Sequence, residues 1–224
     1  MTAGMPGQVE IERALVLALG RAAVLEEGLL RQHAGRLAEY VRYLAEVNDQ
    51  INLVSRRTAS LGDLLARHLG DSLRGVRLLP PPGPRRLVLV DVGSGGGFPA
   101  LPLLLVRPDI DGWLFESTTK KSRFLTEVVE RLALTSTIVN ARFPSPTPMN
   151  DIPPIDVLTT RAVADAGQLV RAAQPWLTKD ARALLWTTRR LFEVAAQESG
   201  MHRWAFHETP GTEQAGIAAL ERST

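Results

Sequence analysis

The sequence predicts an α/β protein: a parallel sheet with helices on both faces, preceded by a helical N-terminal extension. Three observations carry this. Apolar residues in the first 50 positions recur at helical spacing, the run Pro80-Pro81-Pro82-Gly83-Pro84 then interrupts the chain, and beyond Arg86 short β-branched and leucine runs alternate with helix-length segments. The extension is expected over residues 1–80 and the sheet domain over 81–224.

Leu30, Leu37, Tyr40, Val41, Leu44, Val47 and Ile51 fall three, four and seven apart, which places them on one face of an amphipathic helix. A shorter helix through Ile11 to Leu19 precedes it. Another is expected from Leu61 to Leu73, after the polar stretch Ser55 to Ser60. Proline rings then fix φ and forbid further helix, making 80–84 the linker. Beyond it, strands are expected at Leu87 to Val90, Trp113 to Phe115, Thr137 to Val139, Ile155 to Leu158 and Ala183 to Trp186. Strand and helix in alternation require crossovers, hence a parallel sheet. Pro144 to Pro154 is expected as an irregular surface loop. Arg203 to Phe206 suits a closing strand, and Gly216 to Leu220 suits a strand or a helix.

The 224 residues hold one ordinary α/β domain with an extension and are too few for two full-sized enzymatic domains. A composition 45% hydrophobic and 22% charged excludes disordered and collagen-like classes. No apolar run approaches the roughly 20 residues a bilayer crossing needs. Ala14 to Leu19 is short and follows Glu10 and Glu12 rather than a basic segment, so no secretory signal is expected and the cytoplasm is the expected location. The absence of cysteine excludes disulfide frameworks, thiolate zinc sites and any cysteine nucleophile. Net charge is only +2, so bulk charge does not establish a nucleic-acid partner. Lys120, Lys121 and Lys179 are the only lysines, and the remaining positive charge sits on arginines, which suit bidentate phosphate contacts.

The informative segment is Asp91-Val92-Gly93-Ser94-Gly95-Gly96-Gly97-Phe98-Pro99, where a hydrophobic strand turns tightly into an apolar helix. Glycines here permit positive φ and let a ligand approach the backbone. A strand-loop-helix unit of this kind binds nucleotide-like ligands at the carboxyl edge of a sheet. The dinucleotide fingerprint would need its last glycine where Phe98 stands, and no lysine follows as a phosphate-binding P-loop requires. Glu116, at the end of the next strand, can accept both hydroxyls of a ribose. S-adenosylmethionine fits this arrangement: it has a ribose and an adenine but no pyrophosphate, and its sulfonium tolerates a nearby acid such as Asp91. NAD and a glycine turn without a ligand stay open on spacing alone.

Four ordered motifs, Arg67-His68-Leu69-Gly70-Asp71-Ser72, Asp91 to Pro99 with Leu101-Pro102-Leu103, Lys120-Lys121-Ser122-Arg123-Phe124-Leu125 and Thr160-Arg161-Ala162, resemble those of the bacterial 16S rRNA guanine-N7 methyltransferases, also called the glucose-inhibited division protein B family. The likeness runs from about residue 15 to about residue 190 and includes Asn52-Leu53-Val54-Ser55. It implies a Rossmann-like class I S-adenosylmethionine-dependent methyltransferase fold with a helical N-terminal extension, with 16S rRNA or the small ribosomal subunit as partner. The cofactor site it implies draws on Asp91, Gly93, Ser94, Gly95, Gly97, Phe98, Glu116, Ser117, Arg142, Phe143 and Arg161: the methionine end against Gly93, Gly95 and Phe98, the ribose on Glu116, the adenine near Arg142 and Phe143. Arg67, His68, Lys120, Lys121, Arg123, Arg189 and Arg190 would face RNA. His68 and Asp71 lie three apart, either as a polar cluster at the site mouth or as a structural pair. No membrane partner or metal is expected, and a monomer is.

Guanine N7 carries a free lone pair at neutral pH, so attack on a sulfonium methyl needs placement rather than a general base. No catalytic acid, base or nucleophile is accordingly expected. The chain departs from the family pattern at Phe143-Pro144-Ser145 and at Thr187-Thr188-Arg189-Arg190. A noncatalytic RNA-binding or assembly protein that keeps the fold therefore remains an alternative, as, more remotely, does a nicotinamide oxidoreductase.

Overall fold

The computed structural model describes residues 6–144, 151–161, 163, 165–212 and 214–221. Residues 145–150 of the expected Pro144 to Pro154 loop, Ser145 among them, and Ala162 of the fourth motif lie outside the described residues.

Helix α1 (Gln8–Arg21) begins after Gly7, whose N–H donates to the Glu10 carboxylate at 3.0 Å, and it buries Ile11, Leu15 and Leu19 on one stripe. Helix α2 (Glu27–Ile51) buries Leu30, Leu37, Tyr40, Val41 and Leu44, as the periodicity predicts. It ends at Asn52, in the left-handed region at φ 50°. The Asn48 side chain fixes the exit by accepting from Val54 N at 2.8 Å. After a 3₁₀ turn (Arg56–Thr58), α3 (Leu61–Asp63), a π-helical stretch (Leu64–Gly70) and α4 (Asp71–Arg74) run on one another. The expected helix from Leu61 to Leu73 is therefore present, but its middle is wound wider than an α-helix. That changes where His68 and Asp71 point relative to simple three-residue spacing.

The sheet has seven strands in the order β3-β2-β1-β4-β5-β7-β6. Strands β1 (Leu87–Val92), β2 (Ile110–Phe115), β3 (Ser136–Val139), β4 (Ile155–Arg161) and β5 (Leu177–Thr188) are parallel. Helices α5 (Ala100–Val106), α6 (Thr119–Arg131) and α7 (Ala166–Ala173) lie in the crossover segments. After α8 (Arg189–Glu198), β6 (Arg203–Glu208) and β7 (Ala215–Glu221) form an antiparallel hairpin that adds to β5 through β7. Gly216 to Leu220, open between strand and helix in the sequence, is thus strand.

Side chains along β1 alternate between two cores. Leu87 and Leu89 join a cluster that includes Leu15, Leu37, Leu44, Leu69 and Leu101, while Val88, Val90 and Val92 join Val170, Leu185 and Phe192 on the other face. The N-terminal helices therefore share one hydrophobic core with α5 and one face of the sheet. On that face the Tyr43 ring stacks on Phe124 at 5.6 Å, and its hydroxyl donates to Glu127, joining α2 to α6. Among the described residues no helix is long and apolar enough to cross a membrane.

Candidate cofactor and substrate site

The loop from Gly93 to Pro99 hangs at the carboxyl end of β1. Gly93 and Ser94 donate their N–H groups to the Phe115 carbonyl at 2.9 and 3.1 Å, which pins the loop to the end of β2. Gly93 and Gly97 have φ of +74° and +95°, a region that a side chain would strain. A Cβ on Gly97 would also lie 2.2 Å from Leu101 Cδ1 and 3.1 Å from the Tyr40 hydroxyl, so the last loop glycine is needed for close packing rather than ligand clearance. At Gly93, which is solvent-exposed, the nearest atom to such a Cβ is 3.7 Å away, on Val163. Only an ordinary van der Waals contact lies beside the first glycine, and packed side chains lie behind the last.

Two acids flank the loop, each with a different assignment of oxygens. Glu116, just past β2, is buried and accepts from Gly95 N at 2.9 Å through Oε2 and from Thr118 N at 2.7 Å through Oε1. Each oxygen keeps a lone pair for a further donor. Asp91 is buried near the end of β1, where Oδ1 accepts from the Thr159 hydroxyl at 2.7 Å and Oδ2 has no partner. Burial pushes the Asp91 pKa up to about 6, against the opposing hydroxyls of Ser94 and Thr159. An orphaned carboxylate oxygen beneath a glycine loop suits a cationic, hydrogen-donating ligand. The ammonium group of S-adenosylmethionine meets that requirement, with its sulfonium a second positive charge nearby, and a pyrophosphate does not.

On the other side of the loop, Phe98 lies between two rings, with Tyr40 at 5.4 Å and His68 at 5.2 Å. His68 Nε2 is 3.1 Å from the Thr58 hydroxyl. Burial, reinforced by the Arg161 charge, lowers the His68 pKa to about 4, so it is neutral near pH 7. Arg161, ending β4, donates through Nη2 to the Arg67 carbonyl at 2.9 Å and lies 3.7 Å from Asp71 Oδ2, while its buried Nη1 has no partner. Asp71 accepts from the Thr209 hydroxyl at 3.0 Å, and its carbonyl accepts from Trp186 Nε1 at 2.9 Å. Burial raises the Asp71 pKa, with Arg161 opposing. His68 and Asp71 thus have separate partners, Thr58 for one and Thr209 and Arg161 for the other.

The remaining expected residues sit around this centre. Ser94 is buried, its hydroxyl donating to the Asp91 carbonyl at 3.3 Å, and Ser117 is exposed. Phe143 packs edge-on against Phe115 at 5.0 Å, with Arg142 exposed beside it. Lys120 and Arg123 are exposed and Lys121 half-buried at the start of α6. Arg67 pairs with Asp63 at 2.9 Å. Arg189 is held by Glu208 at 2.6 Å and lies over the Phe206 ring, whereas Arg190 is exposed. Among the described residues no group of His, Cys, Asp or Glu is placed to hold a metal ion. Sequence reasoning read Tyr40 as core alone and gave Thr159 and Thr209 no role. Tyr40 reaches the site through the packing of α2 on the sheet, Thr159 through strand register and Thr209 through the C-terminal hairpin, none of which leaves a local signal.

The sequence model of a family described as GidB, rRNA small subunit methyltransferase G, matches residues 33–207. The Ribosomal RNA small subunit methyltransferase G of Sorangium cellulosum is 34% identical over 84% of this chain and 79% of its own length. The protein of the same name from Chloroflexus aggregans is 36% identical over 74% of this chain and 70% of its own. Among solved structures, a methyltransferase from Geobacter sulfurreducens superposes with a TM-score of 0.56 at 13% identity, covering 83% of this chain and 89% of that one, a likeness of fold.

Proposed function

Because this chain belongs to the rRNA small subunit methyltransferase G family, we propose that it methylates N7 of a guanine in 16S rRNA. It is a small-subunit rRNA methyltransferase, and S-adenosylmethionine is its methyl donor. When bound, the donor supplies an electrophilic methyl on a sulfonium. The observation that best supports this site is the unpartnered Asp91 Oδ2 beneath the glycine loop.

In this reading Gly93, Ser94, Gly95, Gly97 and Phe98 shape the methionine end of the site and Asp91 faces its positive charge. Glu116 accepts from the ribose hydroxyls, with Ser117 beside it, and Arg142 and Phe143 border the adenine. Lys120, Lys121, Arg123 and Arg190 hold RNA phosphates, with Arg67 and Arg189 reached through their existing ion pairs. Neutral His68 positions Phe98 rather than binding phosphate. Residues 1–80 act as an extension that closes one face of the 81–224 domain, and the protein works as a monomer in the cytoplasm. N7 needs no proton removed, so catalysis consists of holding lone pair and methyl in line.

Methyl-tritiated donor and small subunits from cells lacking the protein test this. Nuclease digestion should yield labelled 7-methylguanosine, while free guanosine, which offers no phosphates, stays unlabelled. Donor binding without transfer to naked or assembled 16S rRNA would instead identify an assembly factor.

A further inference from the structure

A cavity of about 520 Å³ opens between α1, the 58–74 segment, the end of β4 and the β6–β7 turn, lined among others by Leu19, His68, Asp71, Arg161, Thr209 and Pro210. His68, on the wall of the cavity, packs against Phe98 of the glycine loop with ring centroids 5.2 Å apart. We propose that this cavity receives the target guanine, Asp71 accepting from its N1–H and N2–H and Arg161 Nη1 donating to its O6. The inference rests on the guanine-N7 reading above.

The donor and acceptor inventory carries the argument. Arg161 Nη1 is buried without a partner, although the same guanidinium is anchored through Nη2 to the Arg67 carbonyl. A buried donor left unpaired costs stability, and such groups persist where a ligand completes them. Thr209 occupies one lone pair of Asp71, leaving acceptor capacity on both oxygens for two adjacent donors. Arg161 Nη2 and Asp71 Oδ2, 3.7 Å apart, form an ion pair that is longer than a hydrogen bond, so it uses neither the Nη1 hydrogens nor the Asp71 lone pairs. A fixed donor beside a carboxylate matches O6, N1–H and N2–H of guanine. Adenine would set its N1 acceptor against Asp71 and its N6 donor against Arg161, a repulsive arrangement at both positions. Apolar walls from Leu19 and Pro210 suit the faces of a base.

With the Watson–Crick edge so held, N7 is left free. Its lone pair forms the new N–C bond as the sulfur–methyl bond breaks, the electron pair of that bond stays on sulfur, and the positive charge passes to the guanine ring without any proton transfer. That charge makes N1–H a stronger donor, so its bond to Asp71 tightens as the methyl moves. Asp71 therefore binds the transition state better than the ground state.

The test uses subunits reconstituted with inosine, which lacks only the N2 amino group, at the nucleotide that the wild-type protein methylates. The expected result is a fall in kcat/KM of about tenfold or more for inosine with the wild-type protein. With Asp71→Ala, activity on guanine should drop, the guanine-to-inosine ratio should approach one, and affinity for S-adenosylhomocysteine should stay within about twofold. Equal wild-type rates on guanine and inosine would overturn the inference, as would an unchanged ratio in Asp71→Ala. The wild-type comparison needs no variant and decides the matter even if Asp71→Ala does not fold. Failure of the wild type to make 7-methylguanosine in any subunit is a different result, because it removes the function reading itself.

Discussion

The Tyr40 hydroxyl donates to the Gly96 carbonyl at 2.6 Å, tying α2 to the middle of the glycine loop. Tyr40 is fully buried, which pushes its pKa well above the ordinary range of a phenol and keeps it a donor. Helix α2 therefore helps hold the glycine loop in shape as well as covering the sheet.

Tyr40→Phe should keep the ring contact with Phe98 and lose the hydrogen bond. The expected cost is about 1 to 2 kcal/mol of stability, together with faster amide exchange at Gly95 to Phe98 and weaker donor binding. Exchange rates equal to wild type in that loop would show that α2 does not restrain it.

Glu116→Ala removes the acceptor for Gly95 N and Thr118 N as well as the proposed ribose acceptor. Affinity for S-adenosylmethionine, measured by calorimetry, should fall by about 1.5 to 3 kcal/mol. NAD should not bind either protein. An unchanged affinity in the variant would remove Glu116 from the cofactor site.

Asp91 links stability to pH with a definite sign. Its folded pKa of about 6 lies above the ordinary 3.8, so between these values the folded chain keeps a proton that the unfolded chain has lost. Stability from this group thus decreases as pH rises from about 4 to about 6, and stays lower above that. Asp91→Asn should therefore melt higher than wild type at about pH 8, by on the order of 2 kcal/mol, with no advantage near pH 4, while donor affinity falls. A pH-independent difference in melting would contradict the buried-carboxylate account.

Lys120→Glu with Arg123→Glu should weaken binding to 16S rRNA, and the remaining affinity should depend less steeply on salt, because phosphate contacts release counterions. Donor affinity should barely change, since both side chains are exposed at the start of α6. Arg189→Glu is expected to differ, because it also breaks the pair with Glu208 and unsettles the β6 edge. Filter binding across a salt series would show whether the α6 cluster touches RNA; identical slopes for variant and wild type would exclude it.

Local chemistry determined most of the architecture. The helical spacing of Leu30 to Ile51, the break at Pro80 to Pro84 and the glycine loop after β1 each act through backbone preference or period over a few residues, so they are legible in the chain itself. The same holds for Asp91 and Glu116, whose places at the carboxyl ends of neighbouring strands follow from strand-loop-helix order. Only the tertiary structure decided how those acids are used: Thr159 meets Asp91 through the pairing of β4 with β1, and Thr209 meets Asp71 across 138 residues. It also decided that Gly216 to Leu220 extends the sheet beside β5, and that His68 lies in a π-helical stretch that ends just before Asp71. Contacts of this kind depend on burial and on which distant side chains share a low-dielectric space, and neither is encoded in any short window of sequence.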